Sequence, residues 1–172
     1  MEDNYIYIGK IVNTHGIKGE IRILSDFEYK NKVFVKGMKI YIGRKKEEET
    51  IVTYRHHKNF EMITMEGYND INQVLRYKGL YVYIKKEDLK LDKDEFLDSD
   101  LIGLKVIVDD KEQGIIEQIR TTGGTNKILE INANNKKILI PYQKEFVSSI
   151  DLSNQKIFLT PIKGMFEWKL IF

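Results

Sequence analysis

Hydrophobic and polar residues alternate along most of this 172-residue chain. The alternating segments are short, rich in Ile, Val, Thr and Tyr, and separated by Gly, Asn or charged clusters, which is typical of β-strands. In the first half they are YIYIGKIV, GEIRILS, MKIYIG, ETIVTYR, FEMITME and LYVYI. No long helical pattern lies between them to make parallel crossovers, so the pattern favours a barrel or a sandwich.

One segment of the first half has helical spacing instead. In NDINQVLRYKG, the apolar residues Ile71, Val74 and Leu75 fall on one face of a helix. Asn69 precedes them as a candidate N-cap, and Gly79 follows where a C-cap glycine belongs. The pattern predicts one short helix that packs onto the first barrel.

The strand pattern restarts in the second half of the chain. Its segments are GLKVIVD, GIIEQIR, KILEI, KKILIP and QKIFLT. The segment KEFVSSI fits either a strand or a short helical turn, and the apolar end MFEWKLIF, with Trp168, is expected to dock on the second barrel. Residues 86–99 are highly charged and lack a sustained apolar period, which indicates a linker. We therefore predict an all-β protein of two small β-barrels, with domains at 1–85 and 100–172.

The composition of the chain excludes several functional classes. The chain has no cysteine, so disulfides, thiolate zinc sites and a cysteine nucleophile are excluded. The N-terminus has no basic segment followed by an apolar run, and no stretch approaches the ~18 apolar residues of a membrane span. These features predict a soluble, cytoplasmic protein without a membrane partner, and we expect a monomer.

Charge is distributed unequally between the two halves. The net charge is only +2, yet residues 1–90 hold 17 Lys and Arg against 13 Asp and Glu, whereas the remainder holds 11 against 13. This asymmetry suggests RNA contact by the first half and a protein partner for the second.

The three histidines offer little catalytic chemistry. His15 could act as a general base, but its neighbours Thr14, Lys18 and Glu20 do not have a recognised catalytic spacing. We interpret His15 as a turn-stabilising or RNA-contacting residue. His56 and His57 are consecutive on a strand and point to opposite faces, so they are not expected to chelate one metal ion.

Two glycine-containing loops have two possible interpretations each. GIKG, at 16–19, resembles the backbone-clamping loop of KH domains, but it leads into a strand. Its glycines permit positive φ in a tight turn, or they expose backbone N–H groups to a phosphate, with Lys18 and Arg22 nearby. TTGG, at 121–124, is a turn or a contact surface, and it lacks the lysine of a Walker loop.

The order of these motifs resembles the bacterial ribosome maturation factor RimM family. The resemblance is carried by YIGKIVNTHGIKGEIRILSDF, RHHKNFEMITMEGYNDINQVLRYKGLYVYI, DLIGLKVIVDD, IIEQIRTTGGTNKILEI and KKILIPYQKEFVSSIDLSNQKIFLTPIKGMFE. It covers nearly the full chain. It implies a first barrel like those of translation factors, a second barrel of the PRC type, and a protein without catalysis, metal or cofactor.

The resemblance also implies partners. Members bind the immature small ribosomal subunit near its head and assist maturation of its rRNA, and the PRC-barrel contacts small-subunit ribosomal protein nineteen. Candidate rRNA- or subunit-binding residues are therefore His15, Gly16, Lys18, Gly19, Arg22, Arg55 and His57. Candidate residues for the ribosomal protein are Phe96, Leu97, Gly123 and Asn126.

The chain departs from the family pattern in the second half. Phe96 and Leu97 stand where a Tyr-Tyr pair is usual, which keeps an apolar surface but removes two hydroxyls. Asn126 and Lys127 follow the Thr-Gly loop, where Asp is usual. Two other functional classes fit the residues less well: a protein-binding adaptor with a PRC-barrel, and an RNA-modifying enzyme with an unrecognised acid/base pair.

Overall fold

The computed structural model describes residues 4–123, 126–160 and 163–164. The chain divides into two compact units, Met1–Asp94 and Glu95–Phe172. The segment predicted as a linker has a 3-10 turn at Lys86–Asp88 and includes the start of a helical turn at Asp98. The boundaries 1–85, 86–99 and 100–172 stay predictions.

The first unit is a closed barrel of six antiparallel strands. The strands are β1 (Tyr5–His15), β2 (Glu20–Leu24), β3 (Lys39–Ile42), β4 (Glu47–His57), β5 (Phe60–Met65) and β6 (Tyr81–Lys85). Their order around the barrel is β1-β2-β5-β4-β3-β6, and β6 closes the barrel on β1. Alternate residues such as Ile21 and Ile23 on β2 point inwards and are fully buried. The predicted barrel is confirmed.

The helical part of the first unit differs from the prediction. The N-cap is Asp70, which accepts the Asn72 backbone N–H at 2.7 Å, while the Gln73 side chain accepts from the Asp70 backbone N–H at 3.1 Å. The predicted N-cap, Asn69, is wrong because this reciprocal capping box starts one residue later. A single α-helical turn, α2 (Ile71–Val74), is followed by a 3-10 turn at Leu75–Tyr77. A further helical turn, α1 (Lys30–Val33), was not predicted.

The second unit is a six-stranded sheet that surrounds one core. A helical turn, α3 (Asp98–Leu101), precedes the sheet. The strands are β7 (Lys105–Val108), β8 (Lys111–Thr121), β9 (Lys127–Ala133), β10 (Lys136–Pro141), β11 (Val147–Asp151) and β12 (Lys156–Leu159). The order is β10-β9-β8-β7-β12-β11, with β12 parallel to β7. Val147–Asp151 is thus a strand, whereas MFEWKLIF lies outside the described residues.

A buried carboxylate on β9 forms ion pairs with side chains of the two neighbouring strands, β8 and β10. Glu130 on β9 is 3% exposed, and its oxygens lie 2.6 Å from Arg120 Nε on β8 and 2.8 Å from Lys137 Nζ on β10. The hydrogen bond from Lys137 and the charge of Arg120 hold the pKa of Glu130 below its usual value of 4.5, against the opposing effect of burial.

We expect this carboxylate to make the second unit sensitive to acid. A carboxyl whose folded pKa is lowered stabilises the fold above its unfolded pKa, and the contribution is lost as the pH falls through the folded pKa. Chemical unfolding from about pH 6 to about pH 3 should show a steeper loss of stability for the native chain than for Glu130→Gln. Equal slopes for the two proteins would contradict this role of Glu130.

Candidate functional site

The turn between β1 and β2 has the conformation that its glycines permit. Gly16 and Gly19 have φ of 68° and 92°, and the strands that they connect pair His15 with Glu20. The Ile17 carbonyl accepts the Ile71 N–H at 2.9 Å, and a Cβ on Gly19 would lie 3.3 Å from the Asp70 nitrogen. The loop therefore rests on the start of α2 and leaves Lys18 exposed at its tip. Because it joins two strands, the likeness to a KH loop does not extend to its structure.

His15 and Arg22 form a pair across the hairpin. The Nη2 atom of Arg22 lies 2.6 Å from Nδ1 of His15. A guanidinium can only donate hydrogen bonds, so Nδ1 of His15 accepts and the ring carries its proton on Nε2. The Arg22 guanidinium also lies over the ring of Phe60, 5.8 Å from its centroid. These contacts hold a half-buried positive charge beside the loop.

Arg55 is held by a carboxylate on a different strand. Its Nε and Nη2 atoms donate to the two oxygens of Glu20 at 2.9 and 2.8 Å. The hydrogen bond from Arg55 is the main reason that the pKa of Glu20 is lowered, and the same bond raises the pKa of Arg55. The paired charges largely cancel, so Arg55 contributes less free positive charge to this surface than Lys18 or Arg22.

His57 completes the cluster from the end of β4. Its ring centroid lies 6.2 Å from that of His15. Desolvation lowers the pKa of His57, and the positive charges of Arg55, Lys58 and Arg22 lower it further. The imidazole is therefore neutral near pH 7 in the free protein. An anion bound beside these groups would offset their repulsion and raise the pKa of His57.

The structure brings the first-barrel candidates close together, with Gly16 and Lys18 exposed and Gly19 buried. His15, Gly16, Lys18 and Gly19 belong to the β1–β2 hairpin, Arg22 contacts His15, and His57 lies beside them. Sequence reasoning missed Phe60 as the ring beneath Arg22 and Glu20 as the partner of Arg55. The alternation of β2 places Glu20 and Arg22 on one face, but it carries no signal for their partners on β4 and β5.

Two of the four second-unit candidates, Phe96 and Leu97, are less exposed than the sequence indicates, whereas Gly123 and Asn126 are exposed. Leu97 is only 6% exposed, so the expected apolar surface of the Phe96–Leu97 pair is wrong for Leu97. Phe96 is half-buried and packs against the second core. Gly123, with φ of 55°, is exposed, and the Asn126 carbonyl accepts the Thr122 N–H at 2.9 Å.

Two kinds of feature are absent from the residues that the structure describes. Within residues 4–123, 126–160 and 163–164, no group of three or more His, Asp or Glu side chains is arranged to hold a metal ion. Over the same residues, no helix has both the length and the apolar character needed to cross a membrane.

Comparison with known proteins gives a consistent result for both units. The family model described as the RimM N-terminal domain matches residues 6–89, and the RimM PRC barrel domain matches residues 98–165. A protein from Exiguobacterium sp. (strain ATCC BAA-1283 / AT1b), named ribosome maturation factor RimM, is 38% identical over 168 residues, which cover 95% of this chain and 98% of that protein. The chain belongs to the RimM family.

Other RimM proteins are similar over the same extent. The RimM protein of Staphylococcus haemolyticus is 36% identical over 167 residues, which cover 94% of this chain and 99% of the relative. The crystal structure of a 16S ribosomal RNA processing protein RimM from Pseudomonas aeruginosa covers 92% of this chain and 98% of its own, with 22% identity and a TM-score of 0.41. The His15–Arg22–His57 cluster lies wholly within the match to the RimM N-terminal domain.

Proposed function

We propose that this protein is a non-catalytic ribosome maturation factor, which binds the immature small ribosomal subunit in the cytoplasm and assists maturation of its head and processing of its rRNA. Membership of the RimM family supports the role in ribosome maturation. The observation that carries the binding proposal is the cluster of Lys18, Arg22, His15 and His57 around the glycine-shaped loop.

The chemistry of this cluster suits a phosphate backbone. Lys18 is exposed at the tip of the turn, and the Arg22 guanidinium is oriented by His15 and Phe60. A guanidinium and an ammonium group beside this exposed turn can together contact phosphate oxygens of rRNA. Arg55 supports the site by pairing with the Glu20 carboxylate, which reduces the repulsion between that carboxylate and a bound phosphate.

The same contacts explain why we assign no catalytic role to His15. A histidine general base usually has its second ring nitrogen oriented by an acceptor, commonly a carboxylate. Here Nδ1 of His15 accepts from Arg22, and Glu20 is engaged by Arg55. The arrangement favours binding of an anion over abstraction of a proton.

For the second unit we propose a protein contact. The partner is small-subunit ribosomal protein nineteen, and the candidate contacts are Phe96, Gly123 and Asn126, with Leu97 acting as buried support. The half-buried ring of Phe96 and the exposed turn at Gly123 support this assignment. The excess of acidic residues in the second half is consistent with a basic protein partner.

Binding to precursor small subunits tests the first proposal. Lys18→Ala and Arg22→Ala should each weaken the co-sedimentation of the full chain with small subunits from a strain that lacks the factor. Each lost phosphate contact should reduce the slope of log affinity against log salt concentration by up to about one unit. Affinity is measured by gradient or filter binding at several salt concentrations.

Lys36→Ala is the matched control, since Lys36 is an exposed lysine of the same unit outside the cluster. It should leave both the affinity and the salt slope unchanged. An unchanged slope for Lys18→Ala and Arg22→Ala would exclude the loop as the rRNA contact. Failure of the native chain to migrate with small subunits, or to restore rRNA processing in the deletion strain, would overturn the ribosomal role itself.

A further inference from the structure

The outer face of β1, β6 and β3 is unusually aromatic. It carries five of the ten tyrosines of the chain, together with Lys10 and Lys85, and Lys46 lies over it from the turn between β3 and β4. We call this the tyrosine–lysine surface, and it consists of Tyr5, Tyr7, Tyr41, Tyr81, Tyr83, Lys10, Lys46 and Lys85. It does not include any residue of the loop cluster. Tyr7 and His15 lie near opposite ends of β1, about 25 Å apart along the strand at the usual rise per residue.

Closure of the barrel brings these residues together. β6 pairs with β1 on one side and with β3 on the other, which places Tyr83 opposite both Tyr7 and Tyr41. Lys10 lies opposite Tyr81 in the same register. The intervening residues, Ile8, Ile42, Val82 and Ile84, are buried in the core, so the tyrosines face outwards.

The rings form two edge-to-face groups, and the Lys46 ammonium lies over one ring of each, Tyr5 and Tyr83. The Tyr7 ring lies 5.5 Å from that of Tyr81 and 6.0 Å from that of Tyr83, and Tyr5 lies 5.3 Å from Tyr41, all in T-shaped geometry. Tyr7 and Tyr81 are 46% and 49% exposed. Tyr41 is buried and donates its hydroxyl to Glu48 at 3.2 Å, so it supports the Tyr5 ring from one side.

The lysines lie over these rings. The Lys46 ammonium is 4.1 Å from the Tyr83 centroid, Lys85 is 5.1 Å from Tyr41, and Lys10 is 5.7 Å from Tyr81. Within the part of the chain that the structure describes, none of the three forms an ion pair with a carboxylate within 4.0 Å. Their charge is therefore available to an anionic partner.

Exposed aromatic rings among positive charges are typical of surfaces that bind single-stranded nucleic acids. Unpaired bases stack on aromatic side chains whatever their identity, while lysines contact the phosphates between them. A base-paired duplex would present its backbone to such a surface but could not use the rings. An acidic protein would satisfy the lysines, but it would not need an array of exposed tyrosines.

We propose that the tyrosine–lysine surface binds single-stranded RNA, with bases stacked on Tyr7 and Tyr81 and phosphates beside Lys10 and Lys46. This site is separate from the loop cluster, and the inference does not depend on the ribosomal role. It provides the first barrel with a second, sequence-tolerant RNA contact.

Anisotropy of a fluorescein-labelled oligouridylate of about twelve nucleotides, titrated with the full chain, tests the site. Tyr7→Leu with Tyr81→Leu, which keeps apolar bulk, should lower affinity by about tenfold per ring. Tyr7→Phe with Tyr81→Phe keeps both rings and should bind like the native chain. Native affinity in the leucine variant, or an equal loss in the phenylalanine variant, would overturn the stacking proposal.

Two further titrations separate stacking from simple charge attraction. An abasic oligomer of equal length should bind more weakly than the oligouridylate, and equal binding contradicts the proposal. Lys46→Gln should reduce the salt slope by about 0.7. Lys36→Ala, at an exposed lysine outside both the tyrosine–lysine surface and the loop cluster, should leave oligouridylate affinity unchanged. A loss in that variant equal to the loss in Lys46→Gln would show general charge attraction and would contradict the site.

Cross-linking of the native chain avoids any dependence on variants that fail to fold. Irradiation of the complex with a 5-iodouridine oligomer, followed by mass spectrometry, should identify cross-links to Tyr7 or Tyr81. Cross-links confined to other peptides would contradict the site. If the leucine variant keeps its affinity for the oligomer but loses binding to small subunits, the surface docks a protein and the RNA proposal is wrong.

Discussion

Replacing Gly114 with alanine should destabilise the second unit by about 3 kcal/mol, because the added methyl group has no room. A Cβ on Gly114 would overlap the Asn132 carbonyl oxygen, lie 2.9 Å from the carbonyl carbon, and lie 3.0 Å from Ala133 Cα. These atoms belong to the backbone of β9, which is paired with β8 through the adjacent residue Ile115. They can move only if the pairing of the two strands is disturbed.

The direction of the change in the free energy of unfolding distinguishes a crowded glycine from one that has room for a side chain. Where a glycine has room and ordinary φ, its replacement by alanine stabilises a protein by about 0.4–1 kcal/mol through the unfolded state. The free energy of unfolding of the second unit is measured by chemical denaturation, followed by circular dichroism and hydrogen exchange. Glu112→Ala, at an exposed position of β8, is the control and should change stability by less than about 0.5 kcal/mol. Unchanged or increased stability in Gly114→Ala would contradict the close approach of the strands.

Replacing Tyr77 with alanine should destabilise the first unit by about 3–5 kcal/mol. Tyr77 is 1% exposed, and its ring packs in the first core. Arg76 lies 4.2 Å from the ring centroid and donates to the hydroxyl at 2.8 Å. Burial raises the pKa of this hydroxyl above its usual value of 10.0, so the phenol stays protonated. Truncation therefore removes a large buried ring and the partner of a guanidinium.

Two further variants separate the stability that comes from the Tyr77 ring from that of its hydroxyl and of its buried position. Tyr77→Phe keeps the ring and should cost about 1 kcal/mol for the lost hydrogen bonds. Leu75→Ala is the positional control, because Leu75 is 47% exposed, and it should cost less than about 0.5 kcal/mol. Denaturant unfolding of the first unit measures all three. If Leu75→Ala lowered the free energy of unfolding as much as Tyr77→Ala, Leu75 would lie on the buried face, as helical spacing predicts.

The contrast between Leu75 and Tyr77 shows where sequence reasoning failed. The helical pattern placed Ile71, Val74 and Leu75 on one face. The segment instead changes to a 3-10 turn after Val74, and residues three apart lie above one another in that geometry. Val74 and Tyr77 therefore both enter the core, whereas Leu75 faces solvent. A four-residue helix is too short for its pattern to distinguish these two periods.

The candidate site was predicted in part. The glycines at 16 and 19, the alternation after them and the charge of Lys18 and Arg22 are all visible in the sequence. The contact of His15 with Arg22 depends on the hairpin register, and that of His15 with His57 requires β4 to lie on the same side of the barrel. Such contacts cross between segments that are distant in sequence, and alternation does not specify them.

The sequence by itself determined the all-β class, the two strand-rich halves and membership of the RimM family, because each depends on local period or on motif order. Tertiary structure decided which outward residues became neighbours. Tyr7, Tyr83 and Tyr41 form one surface only because β6 closes the barrel between β1 and β3. Alternation assigns a side chain to one face of its own strand. Its neighbours on that face depend on strand order and register, and these are set by burial of the whole core.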